Sequence, residues 1–271
     1  MRVLVLCTGN SARSQMAEGL LRAFFPGVNS FSAGTRPSDQ VHPGAVAVMR
    51  EIGVDIVAYF PKNASQFTGE PFDLVLTVCG NADQACPIFE GKVRRRVHMP
   101  FDDPAATGDL ADFRRVRDEI RARLGSVVPL VRPARASDLD AVAELLHTQK
   151  LPDEGVAEQF GEAYAVAELD GRICGVAGVE RHFADGLLRS VATSDEARGL
   201  GLGAMLIADR IAWARTQGMG TLYLLTTTAA EWFPRFGFQR IERTAASPEI
   251  QASREFASLC PASSTLMRLG L

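Results

Sequence analysis

The chain has 271 residues, of which 46% are hydrophobic and 23% charged, and a formal net charge of −3 at pH 7. This composition excludes disordered, collagen-like and disulfide-scaffold proteins, and the length suits two domains of roughly 125–145 residues. The acidic balance argues against nucleic acid as the main partner, and no apolar run approaches the ~18 residues of a membrane helix. The short apolar N-terminal run is not a signal peptide, so we expect a cytoplasmic protein.

The first half of the chain alternates strands with helices. Hydrophobic patterning predicts strands at 3–7, 28–33, 72–78 and 93–98, and helices at 14–25, 43–52 and 109–124. Alternating β and α units predict a parallel sheet that is covered on both faces.

The segment 125–129 interrupts this alternation, and we place the domain boundary there, with domains at 1–126 and 129–271. The second half predicts strands at 129–132, 164–169, 172–180, 187–193, 221–227, 238–241 and 265–269, and helices at 136–147, 202–217, 229–236 and 248–259. The Asp170-Gly171 pair between two strands predicts a β-hairpin, and the whole half predicts a mixed, mainly antiparallel sheet.

A Cys-x5-Arg-Ser loop follows the first strand and leads into a helix. Backbone N–H groups of such a loop converge on a tetrahedral oxyanion, and the helix N-terminus adds positive potential. Arg13 can bind two oxyanion oxygens, Ser14 can donate to the Cys7 sulfur, and the local field favours the nucleophilic thiolate of Cys7. The predicted oxyanion-binding residues are Thr8, Gly9, Asn10, Ser11, Ala12, Arg13 and Ser14.

Displacement at an oxyanion also needs an acid for the departing oxygen. Asp103, in the segment Phe101-Asp102-Asp103-Pro104, is the candidate, because proline holds the preceding residue extended. The alternative is that the two aspartates only cap a helix or shape a turn.

Cys79 and Cys86 lie seven residues apart in a polar loop after the third predicted strand. Zinc would need two more ligands, and the four histidines are scattered, so no metal is predicted. A redox relay explains the pair better than zinc, and the alternative is two incidental cysteines. The odd, sparse cysteine set argues against structural disulfides.

These motifs together resemble the thioredoxin-coupled arsenate reductases, which have the low-molecular-weight tyrosine phosphatase fold. The resemblance covers about residues 1–125 and rests on the segments 7–19, 32–34, 101–104 and 115–120 and on the two cysteines. It implies a flavodoxin-like, phosphatase-like parallel sheet and a role in arsenic detoxification.

The resemblance also implies a mechanism. The Cys7 thiolate attacks arsenate, held by Arg13, and Asp103 protonates the departing hydroxyl. Cys79 then attacks Cys7 and releases arsenite, and Cys86 attacks Cys79 to form a disulfide that thioredoxin reduces. A tyrosine phosphatase remains the alternative, although it has no use for Cys79 and Cys86 and usually carries an aromatic residue where this chain has Ala105.

Some members of that family bind potassium near the loop. Asn10, Glu18 and Ser32 match three of the ligands, and Lys62 stands where the fourth, an aspartate, is expected. A lysine ammonium can replace the cation, so we predict no potassium requirement.

A second oxyanion loop, Arg-x-x-Gly-x-Gly, precedes the predicted helix at 202–217. Its glycines expose backbone N–H groups that suit a pyrophosphate, although a plain helix-entry turn is the alternative. A dinucleotide site is disfavoured, because the upstream strands look antiparallel and no later acidic partner is evident.

The segments 189–193 and 232–238 around this loop resemble the GCN5-related N-acetyltransferases (GNAT), over roughly 129–271. The resemblance implies acetyl-CoA as cofactor and an unknown amine as acceptor. The residues it assigns to the cofactor are Val191, Ala192, Arg198, Gly199, Leu200, Gly201, Leu202, Gly203 and Ala204. Segments 224–229 and 254–261 look like the subgroup encoded with arsenic-resistance genes.

This half also departs from the acetyltransferase pattern. Phe233 replaces a tyrosine that many members use to protonate the CoA thiolate. Glu180 is a candidate base, against the alternative of a solvated strand carboxylate. Cys174 and Cys260 are expected to be structural, although Cys260 could bind arsenite. For the whole chain, the alternatives are a phosphatase with a regulatory acetyl-CoA-binding domain and an arsenic-sensing binding protein.

Overall fold

The computed structural model describes residues 1–80 and 89–271. Its contacts divide them into two units, Met1–Leu130 with Leu169–Gly171, and Val131–Glu168 with Arg172–Leu271. Over the described residues, no helix combines the length and hydropathy needed to span a membrane.

The first unit is an α/β sheet domain. Its strands are β1 (Arg2–Cys7), β2 (Asn29–Gly34), β3 (Phe72–Thr77) and β4 (Val93–His98), and its helices are α1 (Arg13–Phe24), α2 (Pro43–Glu51) and α3 (Leu110–Leu124). The strands are all parallel in the order β2-β1-β3-β4. Val3 to Leu6 on the central β1 have no exposed surface, so both faces of the sheet are covered. The predicted parallel sheet is confirmed.

Local chemistry explains where the helices begin. Pro43 occupies the first turn of α2, and the preceding His42 accepts a hydrogen bond from the Gly44 N–H. Asp109 caps α3 by accepting from the Ala111 N–H at 2.9 Å.

The second unit contains a mixed seven-stranded sheet in the order β10-β11-β9-β8-β7-β6-β5. Its strands are β5 (Leu130–Pro133), β6 (Tyr164–Leu169), β7 (Arg172–His182), β8 (Asp185–Thr193), β9 (Thr221–Thr226), β10 (Gln239–Arg240) and β11 (Thr265–Gly270). The helices are α4 (Leu139–Thr148), α5 (Val156–Gln159), α6 (Leu202–Thr216) and α7 (Pro248–Gln251). β8 pairs parallel with β9 and antiparallel with β7, which confirms the predicted mixed sheet.

Two predicted helices of this unit are wrong in extent. The prediction at 229–236 shrinks to a 3-10 turn at Phe233–Phe236, with Pro234 in its first turn and Gly237 at φ +91° ending it. The prediction at 248–259 divides into α7 and a π-helical turn at Glu255–Leu259. Ser253 lies between them, and its hydroxyl donates to the Ile250 carbonyl and accepts from the Phe256 N–H, which competes with continuous helix.

Candidate active sites

The loop after β1 is shaped so that its N–H groups face inward. The carbonyls of Cys7, Thr8, Gly9 and Ser11 accept hydrogen bonds from the neighbouring segment 35–42, at 2.8–3.3 Å. A peptide whose carbonyl is held on one side directs its N–H to the other, so this outer ring of bonds orients the loop amides toward its centre. The loop ends at Arg13, the first residue of α1, whose N-terminus favours an anion.

The Cys7 sulfur lies at the base of this loop and is 3% exposed. It accepts a hydrogen bond from the Asn10 N–H at 3.0 Å, and Ser14 Oγ lies 2.8 Å away. The Asn10 amide group already donates to Ser14 Oγ, so the Ser14 proton is free to point at the sulfur. Two hydrogen-bond donors therefore converge on the Cys7 sulfur at the base of the loop.

Asn10 adopts an αL backbone (φ +48°) and is fully buried. Its side chain donates to Ser32 Oγ, which in turn donates to the Glu18 carboxylate at 2.6 Å. The Lys62 ammonium lies 3.4 Å from the same carboxylate, and the Lys62 N–H donates to the Asn10 side chain. The structure therefore brings Lys62 to the three side chains with which the sequence grouped it.

Arg13 and Asp103 meet at the mouth of the loop. The guanidinium lies 2.9 Å from the Asp103 carboxylate and also donates to the Phe101 carbonyl. Asp103 accepts from the Ala105 N–H as well, so the turn-capping role and the placement beside the loop both hold. Its neighbour Asp102 pairs instead with Arg115, which separates the roles of the two aspartates.

Cys79 lies at the same sheet edge as Cys7. β1 and β3 are paired through Leu6 and Thr77, the Val78 N–H donates to the Leu6 carbonyl, and Cys79 follows with 1% of its surface exposed. A Cβ on the next residue, Gly80, would come 3.8 Å from Arg13, which places this segment beside the loop. Cys86 lies outside the described residues. Within the described part of the chain, no cluster of three His, Cys, Asp or Glu side chains is arranged to hold a metal ion.

The second predicted loop leads into α6 as expected. Gly199 and Gly201 have φ values of +83° and +80°, in the region that favours glycine, and Gly201 is the N-cap of the helix that begins at Leu202. The loop backbone therefore ends at a helix N-terminus, as an anion site requires. The exposed Arg198 guanidinium forms an ion pair with the Asp195 carboxylate at 2.8 Å.

A cavity of about 430 Å³ lies in this second unit where β8 and β9 separate. The two strands pair only over Asp185–Leu187 and Thr221–Tyr223, and the cavity lies beyond the last pair. Leu188 to Val191 and Leu224 to Thr227 line it from the two strands. It is also lined by Lys150, Leu151, Pro152, Leu187, Thr228, Ala229, Trp232, Phe233, Glu255, Leu259, Cys260, Pro261 and Ser264.

A β-bulge shapes β8 at the cavity. The pairing moves from Val176 with Ala192 to Gly178 with Arg189, so β8 holds one extra residue there. Ser190, at the bulge, has φ +53° and lines the cavity together with Val191. Val191 therefore lies at the cavity wall, whereas Ala192 is buried in the core.

Glu180 is not a solvated strand carboxylate. Its side chain is 12% exposed and lies 3.0 Å from Arg189 and 3.1 Å from His182. The close approach of the His182 ring nitrogen and the charge of Arg189 lower the pKa of Glu180 to about 2, so this carboxylate is a weak base. The expectation of solvent exposure failed because Arg189, on the adjacent strand, pairs with Glu180.

Three further positions of the second unit clarify the sequence expectations. Phe233 is buried and lines the cavity. Burial raises the pKa of Cys174 to about 11, which fits a core thiol. Cys260 lines the cavity and donates to Glu255 Oε2 at 3.2 Å, and burial with this contact raises its pKa to about 12.

Sequence reasoning missed Glu255. Its carboxylate lies 2.9 Å from Arg189 and faces the cavity, yet no local pattern separates it from the other glutamates of the chain. The sequence indicated Arg189 only as part of the segment 189–193. Its ion pairs could not be predicted because its partners lie on distant elements.

Comparisons with known proteins match each half of the chain to a protein family. Residues 2–136 match the family described as low molecular weight phosphotyrosine protein phosphatase, and residues 160–240 match the acetyltransferase (GNAT) domain. The arsenate reductase of Brevibacillus brevis is 42% identical over 123 residues, 45% of this chain and 90% of that protein. An arsenate reductase of Staphylococcus aureus (strain N315) is 40% identical over 120 residues, 44% of this chain and 89% of that protein.

Among solved structures, Rv2747 from Mycobacterium tuberculosis, in complex with CoA and NLQ, is 25% identical with a TM-score of 0.47, covering 52% of this chain and 99% of that one. Through its first half the chain belongs to the low molecular weight phosphotyrosine protein phosphatase family, with arsenate reductases as relatives, and its second half carries a GNAT domain. The resemblances to the phosphatase-fold arsenate reductases and to the GNAT acetyltransferases are confirmed at the level of family.

Proposed function

We propose that the first domain reduces arsenate to arsenite through Cys7, Cys79 and Cys86 and is regenerated by thioredoxin. The observation that carries this proposal is the buried Cys79 at the same sheet edge as Cys7, beside Arg13. A phosphatase needs the loop and the acid, whereas a second thiol at this place serves disulfide chemistry.

In this mechanism the loop amides and Arg13 hold arsenate against Cys7. The Cys7 thiolate forms a bond to arsenic, and the hydroxyl that leaves takes a proton from Asp103. The Cys79 thiolate then attacks the Cys7 sulfur, the arsenic–sulfur bond breaks with its electron pair on arsenic, and arsenite leaves. Cys86 attacks Cys79, which frees Cys7, and thioredoxin supplies the two electrons that reduce the Cys79–Cys86 disulfide.

The test is arsenite production with thioredoxin as reductant. We expect the Cys7→Ser, Cys79→Ser and Cys86→Ser variants each to lose turnover. Cys174→Ala is the matched control and retains turnover, because Cys174 is a buried thiol of the other domain.

Phosphatase activity is the second candidate, and the family match to phosphotyrosine phosphatases favours testing it. Hydrolysis of p-nitrophenyl phosphate that survives Cys79→Ser and Cys86→Ser, without arsenate turnover by the unmodified protein, would replace the reductase proposal.

For the second domain, we propose transfer of an acetyl group from acetyl-CoA to an amine. The supporting observations are the glycine loop at the N-terminus of α6 and the cavity at the β8 bulge. The loop amides hold the pyrophosphate, and the pantetheine extends along β8 toward the cavity. Calorimetric titration with acetyl-CoA is the first test, and absence of binding would refute the assignment.

A further inference from the structure

The buried Arg189, which lines the cavity of the second unit, joins polar groups from four separate segments. Arg189, on β8, is 4% exposed in its side chain and contacts Glu180 on β7 and Glu255 on the π-helical turn, at 3.0 and 2.9 Å. The same guanidinium donates to the Glu154 carbonyl at 2.6 Å. One cation is thus shared by two carboxylates, and only Glu255 lines the cavity.

One oxygen of the Glu255 carboxylate has no cationic partner among the described residues. Its Oε1 is held by Arg189, and its Oε2 accepts only the neutral Cys260 thiol among the described residues. The high pKa of Cys260 keeps that thiol protonated, so it acts as a donor and leaves the negative charge on the carboxylate.

A second observation also indicates a polar ligand in this cavity. Within the described chain, Arg189 Nε has no hydrogen-bond partner although the residue is 6% exposed and lines the cavity. A buried N–H without a partner costs about 1–3 kcal/mol unless a hydrogen-bond acceptor satisfies it, so this group suits a ligand that carries an acceptor such as an acyl carbonyl oxygen. Most of the remaining lining is apolar, including Leu187, Leu224, Leu225 and Phe233, which suits a hydrocarbon body behind a charged group.

We propose that Glu255 binds the ammonium group of the acceptor and removes its proton before acetyl transfer. This inference rests on the proposed acetyltransferase function. Glu180 is a poorer candidate, because it is paired with both Arg189 and His182 and does not line the cavity.

The step balances as follows. The ammonium gives one proton to the Glu255 carboxylate, and the freed nitrogen lone pair attacks the acetyl carbonyl of acetyl-CoA. A carbon–nitrogen bond forms, the carbon–sulfur bond breaks, and the second nitrogen-bound proton neutralises the CoA thiolate. Glu255 then releases its proton to solvent.

The first experiment uses 2-phenylethylammonium as the probe and 2-phenylethanol as its uncharged counterpart. Each is titrated by calorimetry into the full chain saturated with CoA. We expect the unmodified protein to bind the ammonium at least ten times more tightly than the alcohol, and Glu255→Gln to lose that preference. Glu144→Gln, at an exposed position on α4, is the control and keeps it.

Equal affinity for the two probes, absence of binding, or a preference that survives Glu255→Gln would overturn the assignment. If CoA itself does not bind, the proposed function fails, whereas titration of the ammonium into the CoA-free chain still decides whether Glu255 binds an ammonium group.

The second experiment separates proton removal from a structural role. Without a base, only the uncharged amine reacts, and its fraction rises tenfold per pH unit below an amine pKa of about 10. The deficit of Glu255→Gln in kcat/KM for acetylation of 2-phenylethylamine should therefore be about 100-fold smaller at pH 9 than at pH 7. A deficit that stays constant across this range would refute proton removal.

Arg189 and Cys260 contact Glu255, Glu180 shares Arg189 with it, Tyr164 interacts with it electrostatically, and Lys150 lines the same cavity. Burial raises the pKa of Tyr164 above its usual range, burial and the contact with Glu255 raise the pKa of Cys260 to about 12, and the pKa of Glu180 is lowered to about 2. Their charge states therefore do not change in the range tested, and the profile reports on the amine and on Glu255.

Discussion

The Gly34→Ala substitution tests whether the position of the oxyanion loop depends on one missing side chain. Gly34 ends β2 directly opposite Cys7 in the sheet register. A Cβ added there would lie 2.5 Å from the Thr8 carbonyl oxygen and 3.0 Å from the Asn10 nitrogen, both of which belong to the loop backbone. Neither atom can move without moving the loop.

The size of the effect follows from these distances. To reach ordinary van der Waals contact at 3.4 Å, the Thr8 carbonyl must move by about 0.9 Å. A misplacement of about 1 Å at a catalytic centre costs on the order of 100-fold in rate, and overpacking typically costs about 1–3 kcal/mol of stability. We therefore expect Gly34→Ala to reduce kcat/KM for arsenate by about 100-fold and to lower the Tm.

The assay is arsenite production with thioredoxin, measured beside thermal unfolding. Gly69→Ala is the matched control, because a Cβ there meets no atom within 4 Å, and we expect it to match the unmodified protein in both measurements. If Gly34→Ala keeps its kcat/KM within a few-fold while the protein remains folded, the close approach does not position the loop and the reasoning is wrong.

Three further predictions concern charge and backbone. The Tm should be the same in potassium and sodium salts because the Lys62 ammonium occupies the cluster with Glu18, and a potassium-specific rise in Tm would contradict this. Lys62→Met should lower the free energy of unfolding, measured with urea, by about 1–3 kcal/mol. Glu180→Gln should lower the free energy of unfolding by about 2–3 kcal/mol at pH 7. Because the folded protein lowers the pKa of this carboxyl, the stabilisation belongs to the ionised form, and the difference should vanish as the pH falls from about 4.5 to about 2. An equal difference at pH 2 would exclude the ion pair as its source. Gly201→Ala should weaken acetyl-CoA binding about five- to tenfold in calorimetry because φ +80° strains alanine, whereas Gly218→Ala, equally strained at φ +70° but outside the loop, should not.

Much of the architecture could be predicted because its causes are local. Alternating apolar runs and amphipathic periods indicated the two sheets. The hairpin turn at Asp170 and Gly171 forms with positive φ at both residues, as a two-residue loop of this type requires. Where competing local bonds decide, as at Ser253, periodicity alone predicted a helix that is too long.

The first site could be read from the sequence because the strand, the loop and the helix that build it are contiguous. Cys7, Asn10, Ser14 and Arg13 lie within eight residues, so one local conformation brings them together. The order of residues in the loop is therefore enough to predict its chemistry. Lys62 was placed only through the resemblance, and the structure shows the contact with Glu18 that spacing alone does not give.

The second cavity depends on tertiary structure. The three charged residues meet because β7 and β8 are neighbours and the π-helical turn returns to the same side of the sheet. Glu180 precedes Arg189 by 9 residues in the chain, and Glu255 follows it by 66. Sheet order and the direction of a returning segment follow from the packing of the whole domain, not from any short pattern. The 271-residue length and the composition thus indicated two globular domains, while the pairing of one buried arginine with two carboxylates was decided only by the fold.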